Sequence, residues 1–337
     1  MAKNKKVILR ADGGPNIGMG HFVRTLALGE MLQNDFYCIY ATRVPTNHQK
    51  QEIKNVCHEL IELPADDSHF NEFIKYLQGD EIVVLDNYYF NTEYQKRIKN
   101  KGCKLVCIDD IYDKHYISDL LINHSPGLNP EYFSVENYTK LLLGLDYTLI
   151  RKIFRQTKHS NNSTGNFNNL FITFGGADFY NLTLKYLKGI IHISWINTIN
   201  VITGEGYNHK NELNSFINRH SGLNKIQHYH NIDPSKLIKV MDSSDIAIAP
   251  ASTILYELVS QRIPVISGYY INNQKSIYQG FLDLGIILGV GNLNDSSNTI
   301  DLVNNLDKDR LSFLISKQEN IIDNKSEERI INEFKQL

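Results

Sequence analysis

The residues best suited to chemistry lie together early in the chain, in Arg10-Ala-Asp12-Gly13-Gly14-Pro-Asn-Ile-Gly18-Met-Gly20-His21-Phe-Val-Arg24. Gly13, Gly14, Gly18 and Gly20 let the backbone approach a ligand closely and take φ > 0 where a turn demands it. The run follows the apolar Val7-Ile8-Leu9 and precedes a helical pattern with Val23, Leu26, Ala27 and Met31 on one face. A strand, a glycine turn and a helix start gather unsatisfied N–H groups and a positive dipole end at one point, which favours a phosphate or another anion. His21 falls in the first helical turn, where that positive end disfavours imidazolium and favours the neutral base. A neutral histidine beside an anion pocket is equipped for base-assisted chemistry on a phosphorylated substrate. The same spacing also fits a plain glycine-rich turn with a histidine cap.

A second set of signals lies in the other half. The apolar run 170–174 ends in Gly175-Gly176-Ala-Asp178, again a strand entering glycines. Later, Asp245-Ile-Ala-Ile-Ala-Pro-Ala-Ser252-Thr253-Ile-Leu-Tyr-Glu257 puts two hydroxyls after a strand and at a helix start. Ser252 or Thr253 caps that helix in this pattern, and the N–H groups there suit a pyrophosphate. Glu257, one turn further in, is spaced to take both hydroxyls of a ribose, and equally to be a dipole-favoured acid behind a simple cap. Asn272-Asn273-Gln274 lies just past the strand ending at Ser267, where amides suit sugar hydroxyls or N-acetyl groups as well as ordinary loop packing.

Two parallel sheets are needed to hold these turns. Strand-like runs at 7–9, 37–41, 82–86, 105–108 and 120–122 alternate with amphipathic stretches such as 22–33, 47–58 and 92–100. The polar, Asn/Ser-rich segment 156–169 has nothing to bury and reads as a linker. A second alternation follows, with strands at 170–174, 198–203, 225–229, 246–249 and 264–267. The expectation is an α/β chain of two Rossmann-type domains with a ligand cleft between their carboxyl edges. The first spans 1–155 and carries the Gly-x-Gly-His turn. The second spans 170–337, binds the nucleotide and ends in polar-faced helices. A length of 337 residues suits two domains of roughly 150 residues each.

Composition narrows the classes further. Apolar residues make up 42% of the chain and aromatics 10%, enough to bury real cores. With 35 basic against 37 acidic residues the net charge is −2, which lends no support to a nucleic-acid or anionic-membrane partner. No apolar run approaches the ~20 residues of a membrane helix. The start, Met-Ala-Lys-Asn-Lys-Lys, lacks a signal-peptide core. Cys38, Cys57, Cys103 and Cys107 show no disulfide or zinc spacing. The chain reads as cytoplasmic, with no evident protein partner.

The run from Arg10 to Arg24 resembles the signature of the pseudaminic-acid pathway UDP-sugar hydrolases, which act on UDP-2,4-diacetamido-2,4,6-trideoxy-β-L-altropyranose. The resemblance continues at Asp86-Asn-Tyr88, Cys107-Ile-Asp109-Asp110, the stretch from Leu143-Gly144 to Arg151, Phe174-Gly-Gly-x-Asp178, Ser252-Thr253-x3-Glu257 and Asn273-Gln274, in unbroken order from residue 7 to about 290. It implies a GT-B fold of the MurG type and hydrolysis of the sugar–nucleotide bond with inversion. His21, Tyr88 and Asn273 take the family's functional positions, and Arg24 stands with the glycines as a substrate contact. The chain departs from the family in three places, all in the second half. Pro250-Ala251 stand where glycines precede Ser-Thr, Arg262 replaces the glycine before the strand proline, and Ala177 replaces a serine.

The expected chemistry is an inverting hydrolysis in which His21 takes a proton from the attacking water while helix-end N–H groups hold the departing diphosphate. Asp12 or Tyr88 orients the imidazole or the water, an alternative the sequence leaves open. The scheme calls for no metal or cofactor; Asp109-Asp110 suits capping or structural pairing better than an ion. Two other classes fit the same residues. One is a GT-B glycosyltransferase using a UDP-sugar donor; the other is a non-catalytic sugar-nucleotide-binding protein.

Overall fold

The computed structural model describes residues 5–14, 17–156, 167–223 and 225–337. They fall into two compact units. One gathers the chain up to Gly13, Gly20–Lys152 and Asp323–Leu337; the other holds the described parts of Gly14–Met19 and Ile153–Ile322. Residues 157–166 of the linker expected at 156–169 lie outside the described residues.

In the first unit β1 (Lys6–Ala11), β2 (Tyr37–Arg43), β3 (Glu59–Leu63), β4 (Ile82–Asp86) and β5 (Lys104–Ile108) alternate with α1 (Gly20–Leu32), α2 (Asn47–Val56), α3 (Ser68–Tyr76) and α4 (Thr92–Lys99). Further on come β6 (His115–Tyr116), β7 (Leu120–Asn123), β8 (Ser134–Val135) and β9 (Lys140–Leu143); β6 and β8 pair separately. The main sheet runs β3-β2-β1-β4-β5-β7-β9, and each neighbouring pair is parallel. Helices cover both faces of such a sheet, so its inner strands are apolar throughout rather than alternating. Every residue of β4 is buried.

The second unit repeats the plan. β10 (Asn169–Thr173), β11 (Thr198–Thr203), β12 (Ile226–His230), β13 (Ile246–Pro250), β14 (Val265–Tyr269) and β15 (Leu288–Asn292) form a sheet ordered β12-β11-β10-β13-β14-β15. The helices between are α6 (Leu182–Ile190), α7 (Lys210–Arg219), α8 (Pro234–Asp242), α9 (Thr253–Ser260) and α10 (Lys275–Asp283), with α5 (Lys152–Gln156) before them. A core of Leu170, Ile172, Tyr186, Val201, Ile248 and Ile266 fills the space beneath.

In each sheet the strand order reverses beside the first strand, between β1 and β4 and between β10 and β13. Such a switch point leaves a crevice at the carboxyl ends of the strands, where α/β sheets take ligands. Both glycine turns emerge there.

Some expectations need correction. The sequence pattern missed the short separate pair β6 and β8, and also β3, β9 and β15, all three at sheet edges, where burial is partial and apolar runs are short. The closing helix Ser326–Phe334 packs with the first unit rather than the second, through Phe334 against Phe36 (ring centroids 6.2 Å apart). Among the described residues no helix is long and apolar enough to cross a membrane. All four cysteines are buried.

Candidate active site

The site in the first unit grows from one register fact: Ala11 of β1 lies opposite Asp86, the last residue of β4. The chain leaves β1, turns through the glycines and enters α1 directly above that carboxylate. Residues three and four apart share a helix face, so His21, Arg24 and Thr25 all point to the same spot. His21 Nδ1 lies 2.7 Å from Asp86 Oδ1, Arg24 gives two hydrogen bonds (Nε to Oδ2 2.7 Å, Nη2 to Oδ1 2.6 Å), and Thr25 Oγ1 donates at 2.8 Å. Burial alone would raise the Asp86 pKa, but Arg24 and His21 hold it well below the ordinary carboxylate range.

This geometry settles the tautomer. Asp86, held ionised by Arg24, can only accept, so its 2.7 Å contact with Nδ1 needs a proton on that nitrogen; Arg24 Nη2, 3.0 Å from Nδ1, gives its 2.6 Å hydrogen bond to the same carboxylate oxygen. Nδ1 therefore carries the proton and donates it to Asp86. The lone pair sits on Nε2, which has no hydrogen-bond partner among the described residues. Tyr88 meets the imidazole edge-on, with ring centroids 4.6 Å apart. The whole is an Asp–His dyad with one open nitrogen.

Asp12 does not orient that imidazole. Its carboxylate is held by Arg10 (2.5 Å), Arg43 (Nε 2.5 Å, backbone N 2.8 Å), Thr42 and the Tyr89 hydroxyl. The Arg10 guanidinium, helped by the Tyr89 hydroxyl and the Arg43 backbone N–H, keeps it ionised far below the usual range despite its burial. Asp12 braces the glycine turn, and Asp86 fills the place proposed for it. Arg24 also has a structural role: 4% exposed, it gives three hydrogen bonds to carboxylates, two to Asp86 and one, at 2.8 Å, to Asp110, and so holds the acid beneath His21. Asp109 caps a turn by accepting from the Ile111 and Tyr112 N–H groups, and burial followed by the Asp110 charge raises its pKa. Nearby His124 accepts from Leu149 N at 2.9 Å; burial and the Arg24 charge push its pKa down to about 3.

The loop itself is shaped by hydrogen bonds between Gly14 and Gly18 (Gly14 N to Gly18 O 3.1 Å, Gly18 N to Gly14 O 2.8 Å), with Gly18 at φ +81°. Gly13 O accepts from Gln49 at 3.1 Å, and Gly20 opens α1.

In the second unit Gly175 takes φ +82° after β10. Gly176 lies so near Gly204 that a Cβ on Gly204 would come within 2.6 Å of Gly176 Cα. Asp178 is buried with both carboxylate oxygens bound to the first N–H groups of α6 (Leu182 and Thr183, each 2.8 Å). It is a helix cap rather than a ligand contact, and burial raises its pKa. Ser252 occupies the N-cap of α9, yet its hydroxyl makes no cap hydrogen bond, and Thr253 begins the helix. Glu257 is only 1% exposed. Gln274 is buried and its Oε1 accepts from Tyr270 N at 3.0 Å, bracing the turn that presents the half-buried Asn273. The three departures from the family pattern find their places here. Arg262 sits at φ +55°, the left-handed conformation a glycine takes freely. Pro250 closes β13, where a missing N–H is tolerated, and Ala177 is buried beside Gly206.

Comparison with known proteins places the architecture. No family model matches the chain. It is 28% identical over 82% of its length to a protein of Methanocaldococcus jannaschii described as uncharacterized, of which the match spans 58%. It is 24% identical over 80% of its length to the UDP-2,4-diacetamido-2,4,6-trideoxy-beta-L-altropyranose hydrolase of Campylobacter jejuni, covering 94% of that enzyme. Among solved structures, MurG of Acinetobacter baumannii superposes with a TM-score of 0.61 at 12% identity, covering 99% of this chain and 100% of that one. HepE of Anabaena, solved with UDP-glucose, does so at 0.64 and 10% identity over 98% and 100%. The fold is GT-B. The likeness expected from the motifs therefore holds both for the MurG-type fold and for similarity to the hydrolase.

Asp86 is the residue the sequence pattern undervalued. It stood in the Asp-Asn-Tyr88 motif with no role, although an acid ending a central strand next to β1 can only face the start of α1.

Proposed function

We propose that the chain hydrolyses a UDP-activated diacetamido-trideoxyhexose at its anomeric carbon, with inversion, to free sugar and UDP, a step of nonulosonic (pseudaminic) acid synthesis. The observation that carries this reading is the His21–Asp86 dyad with its open Nε2. In the proposed step Nε2 takes a proton from water as the water oxygen bonds to the anomeric carbon. The carbon–oxygen bond to the diphosphate breaks and UDP leaves with the electron pair. The imidazolium so formed is stabilised through Nδ1–H by the buried Asp86 carboxylate, as a dyad acid serves a histidine elsewhere. Tyr88 packs on the ring and limits its rotation.

In this proposal the first unit supplies the base and residues 153–322 supply the nucleotide site. The free N–H groups at Thr253, the uncapped Ser252 hydroxyl and the Gly175-Gly176 turn would receive the diphosphate, Glu257 the ribose, and Asn273 the sugar. Similarity to the Campylobacter hydrolase over nearly its whole length supports water rather than a second sugar as acceptor.

The test is release of UDP from a panel of nucleotide-activated deoxy-sugars with no acceptor present. Sustained turnover on the UDP-diacetamido sugar is expected, and His21→Asn should lower it ~10²–10⁴-fold while UDP still binds by calorimetry. Turnover appearing only when an acceptor is added would replace hydrolysis with transfer. Preference for a GDP or CMP donor would overturn the uridine assignment.

A further inference from the structure

We propose that the first unit carries a second carbohydrate site, a pocket for a neutral pyranose between α3 and α4. A cavity of about 310 Å³ opens there, at the small end of the range for ligand pockets. Its wall is aromatic: Tyr94 is buried, while Phe70 and Tyr89 are half-buried and present ring surface. These rings are fixed in place. Phe70 packs edge-on to Tyr94 (5.0 Å) and Tyr89 (5.8 Å), Tyr94 OH donates to Phe70 O at 3.3 Å, and Tyr89 OH is tied to Asp12. A wall so braced loses little freedom when a ligand arrives.

The charges at the rim choose the ligand. Asp67 precedes α3 without making a cap hydrogen bond, and among the described residues Glu93 pairs with Lys96 alone, at 3.6 Å on the surface. Arg97 lines the same pocket, lying over the Tyr94 ring at 5.6 Å and donating to Asn71 at 2.7 Å. An anion would face the two carboxylates. A cation would face Arg97, and Arg43 already covers the Tyr89 ring at 5.1 Å. A neutral ring with an apolar C–H face and a girdle of hydroxyls satisfies both sets: the C–H face lies on Phe70, the ring that neither arginine covers, and the hydroxyls donate to Asp67 and Glu93 and accept from Arg97. None of His21, Asp86 and Tyr88 lines the pocket, so this site does not rest on the hydrolytic reading.

The probe is N-acetylglucosamine with the full chain, followed by saturation-transfer NMR with and without saturating UDP. Saturable binding on the order of 1 mM is expected for a ligand of this size, unaffected by UDP and by His21→Asn. Asp67→Ala, an exposed position whose loss leaves the fold intact by circular dichroism, should weaken it about 10-fold, and so should Phe70→Ala. Absence of saturable binding overturns the proposal, as does binding indifferent to both substitutions. Loss of the signal with UDP or in His21→Asn would place the sugar at the glycine turn instead and equally overturn it.

Discussion

The two units share one plan yet arm their carboxyl edges in opposite ways. At the β1–β4 crevice the polar groups are buried charges: Arg10, Asp12, Arg24, Asp86 and Asp110 are each at most 5% exposed. At the β10–β13 crevice they are backbone N–H groups, glycines and an uncapped serine, and its buried Asp178 is spent on a helix end. A charge network fixes one side chain with great accuracy but tolerates no missing partner. A backbone cradle needs only that nothing intrude. The first suits a base that must aim a lone pair; the second suits a diphosphate that recurs in many substrates.

The largest effect should come from uncoupling the dyad. Asp86→Asn is expected to lower kcat by ~10²–10⁴-fold with little change in UDP affinity, because the amide favours the other tautomer and no longer stabilises imidazolium. Steady-state kinetics beside UDP calorimetry would measure it. An intact kcat would mean that the dyad is structural.

Next comes the cost of breaking the network. Arg24→Met leaves Asp86 and Asp110 facing one another without their shared cation, and should destabilise the protein by about 3–5 kcal/mol in urea unfolding. Gly204→Ala tests the other crevice. The new Cβ would press on the Gly176 backbone, costing about 1–3 kcal/mol and weakening UDP binding while leaving the His21 geometry untouched.

Acid should distinguish the units as well. His124 is neutral in the fold down to about pH 3, whereas an unfolded histidine binds a proton near pH 6.5. Between those values the unfolded chain holds more protons, so stability rises with pH and is lost on acidification, by about 1.4 kcal/mol per pH unit for this group. Urea unfolding at pH 5 and 7.5 should show that slope, and His124→Asn, which keeps an acceptor for Leu149 N–H, should flatten it.

The smallest effect belongs to Arg262. Arg262→Gly relieves a left-handed residue and loses a half-exposed ion pair to Glu319 at 3.2 Å, so a gain of up to about 1 kcal/mol in thermal unfolding is expected. Arg262→Ala keeps the strain and should fall below both.

Much of this molecule was legible in its amino-acid order. Fully buried parallel strands are apolar along their whole length, so runs such as Ile82-Val-Val-Leu announce themselves, and glycines beside a helix start mark where backbone must stay open. Those are local signals, set by neighbours in the chain. The edge strands β3, β9 and β15 were not legible, because each buries a single residue fully and its pairing partner alone makes it a strand. The same physics explains the errors at the site. Asp12, Arg24 and Asp178 are residue types that bind ligands, and only the fold decides whether a buried charge is already matched by another. Asp12 meets two arginines, Arg24 two aspartates and Asp178 a helix end, while Asp86 meets His21 because parallel pairing sets β4 beside β1. Apart from Arg10 beside Asp12 and the helix start beside Asp178, these partners lie 30 to 90 residues away in sequence and under 3 Å away in space (Asp86 is 65 residues from His21 and 2.7 Å from its Nδ1), so only tertiary structure could name them.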